Sequence, residues 1–234
     1  MVTLKELSRG ELETMLAAGE EILECYRVLG HTNDNIVGEV LRDQGKFYEW
    51  DHYPKGDVYD HESHAQYYYH AHPTELRGGE HGHFHTFLRA KGMPWGVAPA
   101  SHDDKAEWPA GEDALSHLAG VSMDSKGFPI ALFSTNRWVT GETWYAGRDV
   151  RTMLDRFVID HARPSWPVNR WITAMLRLYR PQIRELVTER DAAVEAWRGK
   201  HSDRDVFEDR ELEITSRTSI SVDEQIAGVR AALG

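Results

Sequence analysis

Apolar positions near the start of the chain recur at helical spacing: Leu12, Met15, Leu16, Ile22, Leu23 and Tyr26. Residues three and four apart share one face of a helix, so this stretch predicts an amphipathic helix. Ser8 and Glu11 have the spacing of a capping box, which sets the start near Arg9, and Gly30 suits the stop. A shorter helix is expected over residues 33–42.

The period then changes from helical to alternating. Gln66, Tyr68, His70 and His72 fall on one face of an extended strand, and His81, His83, His85 and Phe87 do the same in the next. Residues 73–80, with Gly78-Gly79, read as the hairpin loop between them. Pairing 68–72 with 83–87 sets His72 opposite His83 and His70 opposite His85. Residues 54–57 read as a turn leading into this hairpin. Residues 116–123 and 128–138 read as two more strands, joined by a turn at 124–127.

From Asp149 the pattern is helical again. Val150, Met153, Leu154 and Phe157 form one stripe, and Val168, Trp171, Ile172, Met175, Leu176 and Tyr179 form another, opened by Ser165 and Pro167. A third starts at Pro181 with Ile183, Leu186, Val187, Val194 and Trp197. Residues 211–220 alternate like a strand, and Ser221 with Glu224 opens a last helix to Leu233. The predicted class is α+β: a central antiparallel sheet of at least four strands flanked by N-terminal and C-terminal helices. One domain is expected, helical over 1–45, sheet with a histidine site over 47–145, and helical over 149–234.

Composition narrows the function. The 234 residues are 41% hydrophobic, enough for one core, and the formal charge of −11 argues against nucleic acid or an anionic membrane as partner. No apolar run approaches the roughly 20 residues of a membrane span, and the N-terminal residues lack the apolar core of a signal peptide. A cytoplasmic location is the expectation. The single cysteine, Cys25, excludes an internal disulfide and a cysteine-based zinc site. The dinucleotide fingerprint, the phosphate-binding P-loop, the nucleophile elbow and the zincin motif are all missing.

The candidate chemistry lies in the histidines. Seven of the 13 fall between residues 61 and 85: His61, His64, His70, His72, His81, His83 and His85. A strand-borne His-x-His pair projects both imidazoles the same way, about 6–7 Å apart. Imidazole donors suit Fe, Cu or Zn. The candidate metal ligands are His70, His72, His83 and His85, with His117 in reach if its strand lies alongside. His83-Phe84-His85, with His117, resembles the three-histidine zinc arrangement of the α-type carbonic anhydrases at those positions alone. The His-x-His element is also similar to that of the cupins, whose glycine-spaced second motif is missing here.

Tyr68 points to the same face, where its phenol could donate a proton, and Arg137 could hold an anionic substrate by a bidentate contact. Asp51, His52, Asp57, Asp60 and Glu142 are carboxylates and imidazoles that could support or complete the ligand set. Residues 91–113, with Trp95 and Trp108, read as a long loop placed to act as a lid. The expected function is a metal-dependent enzyme acting on a small molecule, with O2-using oxidoreductase chemistry placed first. A zinc hydrolase or lyase using metal-bound hydroxide is the alternative within enzymes, and a non-catalytic metal-binding protein the alternative outside them.

Overall fold

A computed structural model describes residues 4–73, 79–102 and 107–234. The first helix, α1 (Arg9–Gly30), carries the expected capping box: the Ser8 side chain accepts from the Glu11 N–H, and the Glu11 carboxylate accepts from the Ser8 N–H. Its buried stripe is Leu12, Met15, Ala18, Ile22, Cys25 and Leu29. Helix α2 (Ile36–Leu41) starts at Asn35, whose side chain accepts from the Gly38 N–H.

Six strands then form one sheet in chain order, every neighbour antiparallel. They are β1 (Tyr53–Tyr59), β2 (Ala65–His70), β3 (Gly82–Arg89), β4 (Leu115–Met123), β5 (Pro129–Thr135) and β6 (Ile214–Ser219). Between β5 and β6 run α3 (Arg137–Thr140), α4 (Gly147–Met153), α5 (Trp166–Leu178) and α6 (Arg180–Lys200), and α7 (Val222–Leu233) follows β6. The α+β class is as predicted, with the helices before and after the meander.

Alternation along the strands separates two faces. Tyr67, Tyr69, Phe84, Val121 and Leu132 belong to the main core with the helices. The Phe84 ring meets Trp171 at 5.3 Å, the Tyr67 hydroxyl donates to Asn169 at 2.6 Å, and the Ser216 hydroxyl donates to the Leu186 carbonyl at 2.9 Å. The opposite face carries Tyr68, His70, His83, His85, Phe87 and Phe133. Among the described residues no helix is long and apolar enough to cross a membrane.

Three local expectations are corrected. The β2–β3 register is two residues away from the predicted one: His70 lies opposite His83 and Tyr68 opposite His85. Strand β2 ends at His70, so His72 lies beyond the ladder. Residues 54–57 are not a separate turn but part of β1, whose pairing to β2 shifts between Tyr53 and Val58. Gly56 and Asp57 take left-handed φ values of 88° and 59° there, and β1 is an edge strand, where a proline and a bulge are tolerated. His81 does not continue the β3 face; the strand begins at Gly82, and the His81 ring instead pairs with the Tyr69 hydroxyl at 2.6 Å.

The predicted hairpin loop includes residues 74–78 and the predicted lid includes 103–106, and both pieces lie outside the described residues. Of the two tryptophans in the 91–113 stretch, Trp95 is fully exposed, whereas Trp108 is buried in a small second core with Trp144, Val194, Val206, Phe207 and Leu212.

Candidate metal centre

Three imidazoles converge at one end of the β2–β3 pair. His70 is the last residue of β2, His72 follows the strand, and His83 lies opposite His70 on β3. One nitrogen from each of the three falls within 4.8 Å of the other two, so this group could hold a metal ion. The Nε2 atoms of His70 and His72 are 3.1 Å apart. Nitrogens bound to one zinc-sized ion at about 2.0–2.1 Å sit about 3.3 Å from one another, so side-chain rotation closes the set. His83 is buried while His70 and His72 are half-buried, so the site opens to solvent on the β2 side.

His83 is held from behind. Its Nδ1 lies 2.6 Å from Oε1 of Glu80, itself buried, and Glu80 Oε2 is 3.5 Å from the Arg217 guanidinium. A carboxylate can only accept, so the proton sits on Nδ1 and Nε2 carries the lone pair. This is the carboxylate–histidine–metal arrangement that fixes a tautomer and raises donor basicity. Phe133 packs edge-on against His83 and His85 at 5.2 and 5.6 Å. Gly120 makes that possible, because a Cβ there would run into the Phe133 ring.

His85 stands one ring further along β3, with its centroid 4.9 Å from His83 and 5.3 Å from His70. Its Nδ1 is 3.0 Å from Nε2 of His117, as the predicted reach of His117 requires. A β-bulge makes that contact. Regular pairing of Ala119 with Thr86 would turn His117 to the helical face, but the register shifts between Thr86 and Phe87, setting His117 opposite Phe87. The backbone N–H of His117 donates to Glu142 Oε2 at 2.6 Å. Burial, followed by the nearby Arg190 charge, drives the His117 pKa down to about 3, so its ring is neutral. The convergent set is therefore His70, His72 and His83, while His85 and His117 form a second pair beside it.

Tyr68 lies where the alternation predicts. Its ring stacks on His52 at 3.6 Å and lies 5.2 Å from His85 and 5.6 Å from His70. Burial raises its pKa, so the phenol keeps its proton. His52 is tied to Asp57, whose second oxygen accepts from Gln66 at 2.7 Å. Trp50, half exposed and at φ 72°, sets its indole against the His72 ring at 4.2 Å.

Arg137 is elsewhere engaged. Its Nε lies 2.6 Å from Glu208, and its Nη1 donates to the Glu142 carbonyl at 3.0 Å. Asp60 organises a turn, accepting from the backbone of Glu62, Ser63 and Asp160. His64 bonds the Tyr59 hydroxyl. Sequence reasoning missed Glu80 and Arg190. Glu80 is legible as a Glu-x-x-His spacing with His83. Arg190 is legible as a lone charge in the α6 stripe of Leu186, Val187 and Val194.

Residues 16–220 match the family described as Domain of unknown function (DUF6969), which spans the sheet and every histidine named above. The chain belongs to the DUF6969 family. Comparison with curated proteins returned no match, and neither did comparison with solved structures.

Proposed function

We propose that this DUF6969 protein is a metal-dependent enzyme acting on a small molecule, with a transition metal held by His70, His72 and His83. The observation that carries the reading is the convergence of three imidazole nitrogens within 4.8 Å, two of the rings half open to solvent and the third oriented by buried Glu80. Three protein ligands leave a position for substrate or water, whereas four saturate a tetrahedral ion. An all-imidazole donor set with Trp50, Tyr68 and Phe133 around it favours iron or copper and O2-using oxidoreductase chemistry. In this reading Tyr68 faces the substrate with a protonated phenol. Arg137, paired with Glu208, serves the fold of the 136–147 segment.

The test uses the cobalt(II)-loaded protein. Azide or cyanide should change its visible spectrum, because an open position admits an exogenous ligand. Tyr68→Phe should change the affinity for azide without removing cobalt. A spectrum indifferent to both anions would mean a closed shell and would replace the enzyme reading with a metal store.

A further inference from the structure

Where α5 ends and α6 begins, the first turns of α1 and residues 154–155 close a cavity of about 290 Å³ in the helical layer. Its floor is apolar. Met15, Leu154 and Leu176 are buried, and half-buried Leu7 packs against the same core. Its rim is cationic, with Arg177 from the last turn of α5 and Arg180 and Arg184 from the start of α6. Two carboxylates share the lining, and both are engaged. Glu11 Oε2 accepts from the Ser8 N–H at 3.0 Å and from the Ser8 hydroxyl at 2.7 Å, and Asp155 Oδ1 lies 3.0 Å from Arg180 Nε. Arg177 and Arg184 form no ion pair among the described residues. The Nε of Arg184 is also shut off from solvent without a hydrogen-bond partner, a costly state for a charged donor. Three guanidiniums against two carboxylates leave one positive charge here, on a chain whose formal charge is −11. The C-terminal end of α5 and the N-terminal end of α6 meet at this point and their dipoles oppose each other, so the side chains set the field.

We propose that this cavity binds a medium-chain monocarboxylate, with its alkyl chain on the apolar floor and its carboxylate at the arginine rim. Each part of the lining selects a part of that ligand. The floor of Met15, Leu154 and Leu176 favours burial of a hydrocarbon chain and offers nothing to a small hydrated ion. Guanidinium groups pair with a carboxylate through two parallel N–H bonds, and Arg177 and Arg184 have that capacity to spare. One net positive charge matches one negative charge, whereas a phosphate monoester would bring a second charge without a partner. The volume lies at the lower end of small-molecule pockets, about 300–1,000 Å³, which suits a chain of medium length. No histidine lines the cavity, so the proposal stands or falls apart from the metal reading.

The test follows the methionine methyl resonances of the full chain, labelled with carbon-13 at those methyls, during titration with octanoate. The Met15 signal is the one missing in Met15→Leu. It should move saturably with octanoate. Acetate keeps the charge without the chain, octanol keeps the chain without the charge, and octyl phosphate carries the second charge; each should bind more weakly. Arg184→Gln should lower octanoate affinity about tenfold, the loss of one charge-assisted hydrogen bond. Arg177 is exposed, so Arg177→Gln leaves the fold intact and supplies a second reading, with an expected loss of several-fold. A Met15 methyl that moves no more than the other methionine methyls would overturn the proposal. So would octanol or octyl phosphate binding as tightly as octanoate, or octanoate affinity unchanged in both arginine variants.

Discussion

His83→Ala is expected to lower affinity for a transition metal more than about a hundredfold, and Glu80→Gln by about ten- to a hundredfold. The first removes a donor outright. The second keeps every donor and changes what stands behind one of them. With the Glu80 oxygen accepting, His83 is fixed with its proton on Nδ1 and its lone pair on Nε2. A glutamine amide in its place can present either N–H or C=O to Nδ1, which weakens the tautomer preference and removes a negative charge near the ion. Competition against a chromophoric chelator measures both variants, and far-ultraviolet circular dichroism reports whether the fold survives. Equal affinity in Glu80→Gln and the parent would mean that Glu80 is only the partner of Arg217.

Glu142→Gln is expected to stabilise the protein at pH 8 and to change little at pH 5. Burial raises the Glu142 pKa from 4.5 to about 8. Between those values the unfolded chain has released this proton while the folded chain retains it. The folded state then binds more protons, so stability falls as pH rises through the window. The full effect is on the order of 5 kcal/mol at about 1.36 kcal/mol per pKa unit. Glutamine keeps an oxygen for the His117 N–H and places an amide N–H where the acid proton sits, and it does not titrate. Urea midpoints of the two proteins should therefore diverge from pH 5 to pH 8, with the variant the more stable at the upper end. Parallel pH dependence would show that Glu142 is ionised in the folded state.

Why the histidine face was legible from alternation, although its pairing was not, follows from the period of a strand. The true register is two residues from the expected one, and a slip of two leaves every side chain on its own face. A slip of one would have destroyed the site. His117 is the contrasting case: it reaches His85 because of a bulge opposite Thr86 and Phe87, and no alternation in β4 announces that bulge. Residues 54–57 have turn chemistry, yet pairing of Tyr53 and Val58 with β2 draws them into an edge strand. Here tertiary context overrides local preference.

The longer helices are legible because caps and apolar stripes are local signals, whereas the short α3 falls partly inside the stretch 128–138 expected as strand. Ser8, Asn35, Ser165 and Ser221 all cap as their side chains suggest. Long-range charge pairing is not local. The partner of Arg137 is Glu208, 71 residues away, and nothing near Arg137 indicates it. Arg190 does not stand out in the sequence, because a charge on a helix is ordinarily a solvated one. Its place in the stripe of Leu186, Val187 and Val194 marks it as buried.

Anomalous diffraction from crystals grown with iron, copper or zinc, collected at the absorption edge of the added metal, tests the central claim most directly. The account predicts one strong peak per chain within about 2.0–2.2 Å of nitrogens from His70, His72 and His83. A peak coordinated by other residues, or no peak at these three imidazoles in metal-saturated crystals, would contradict it.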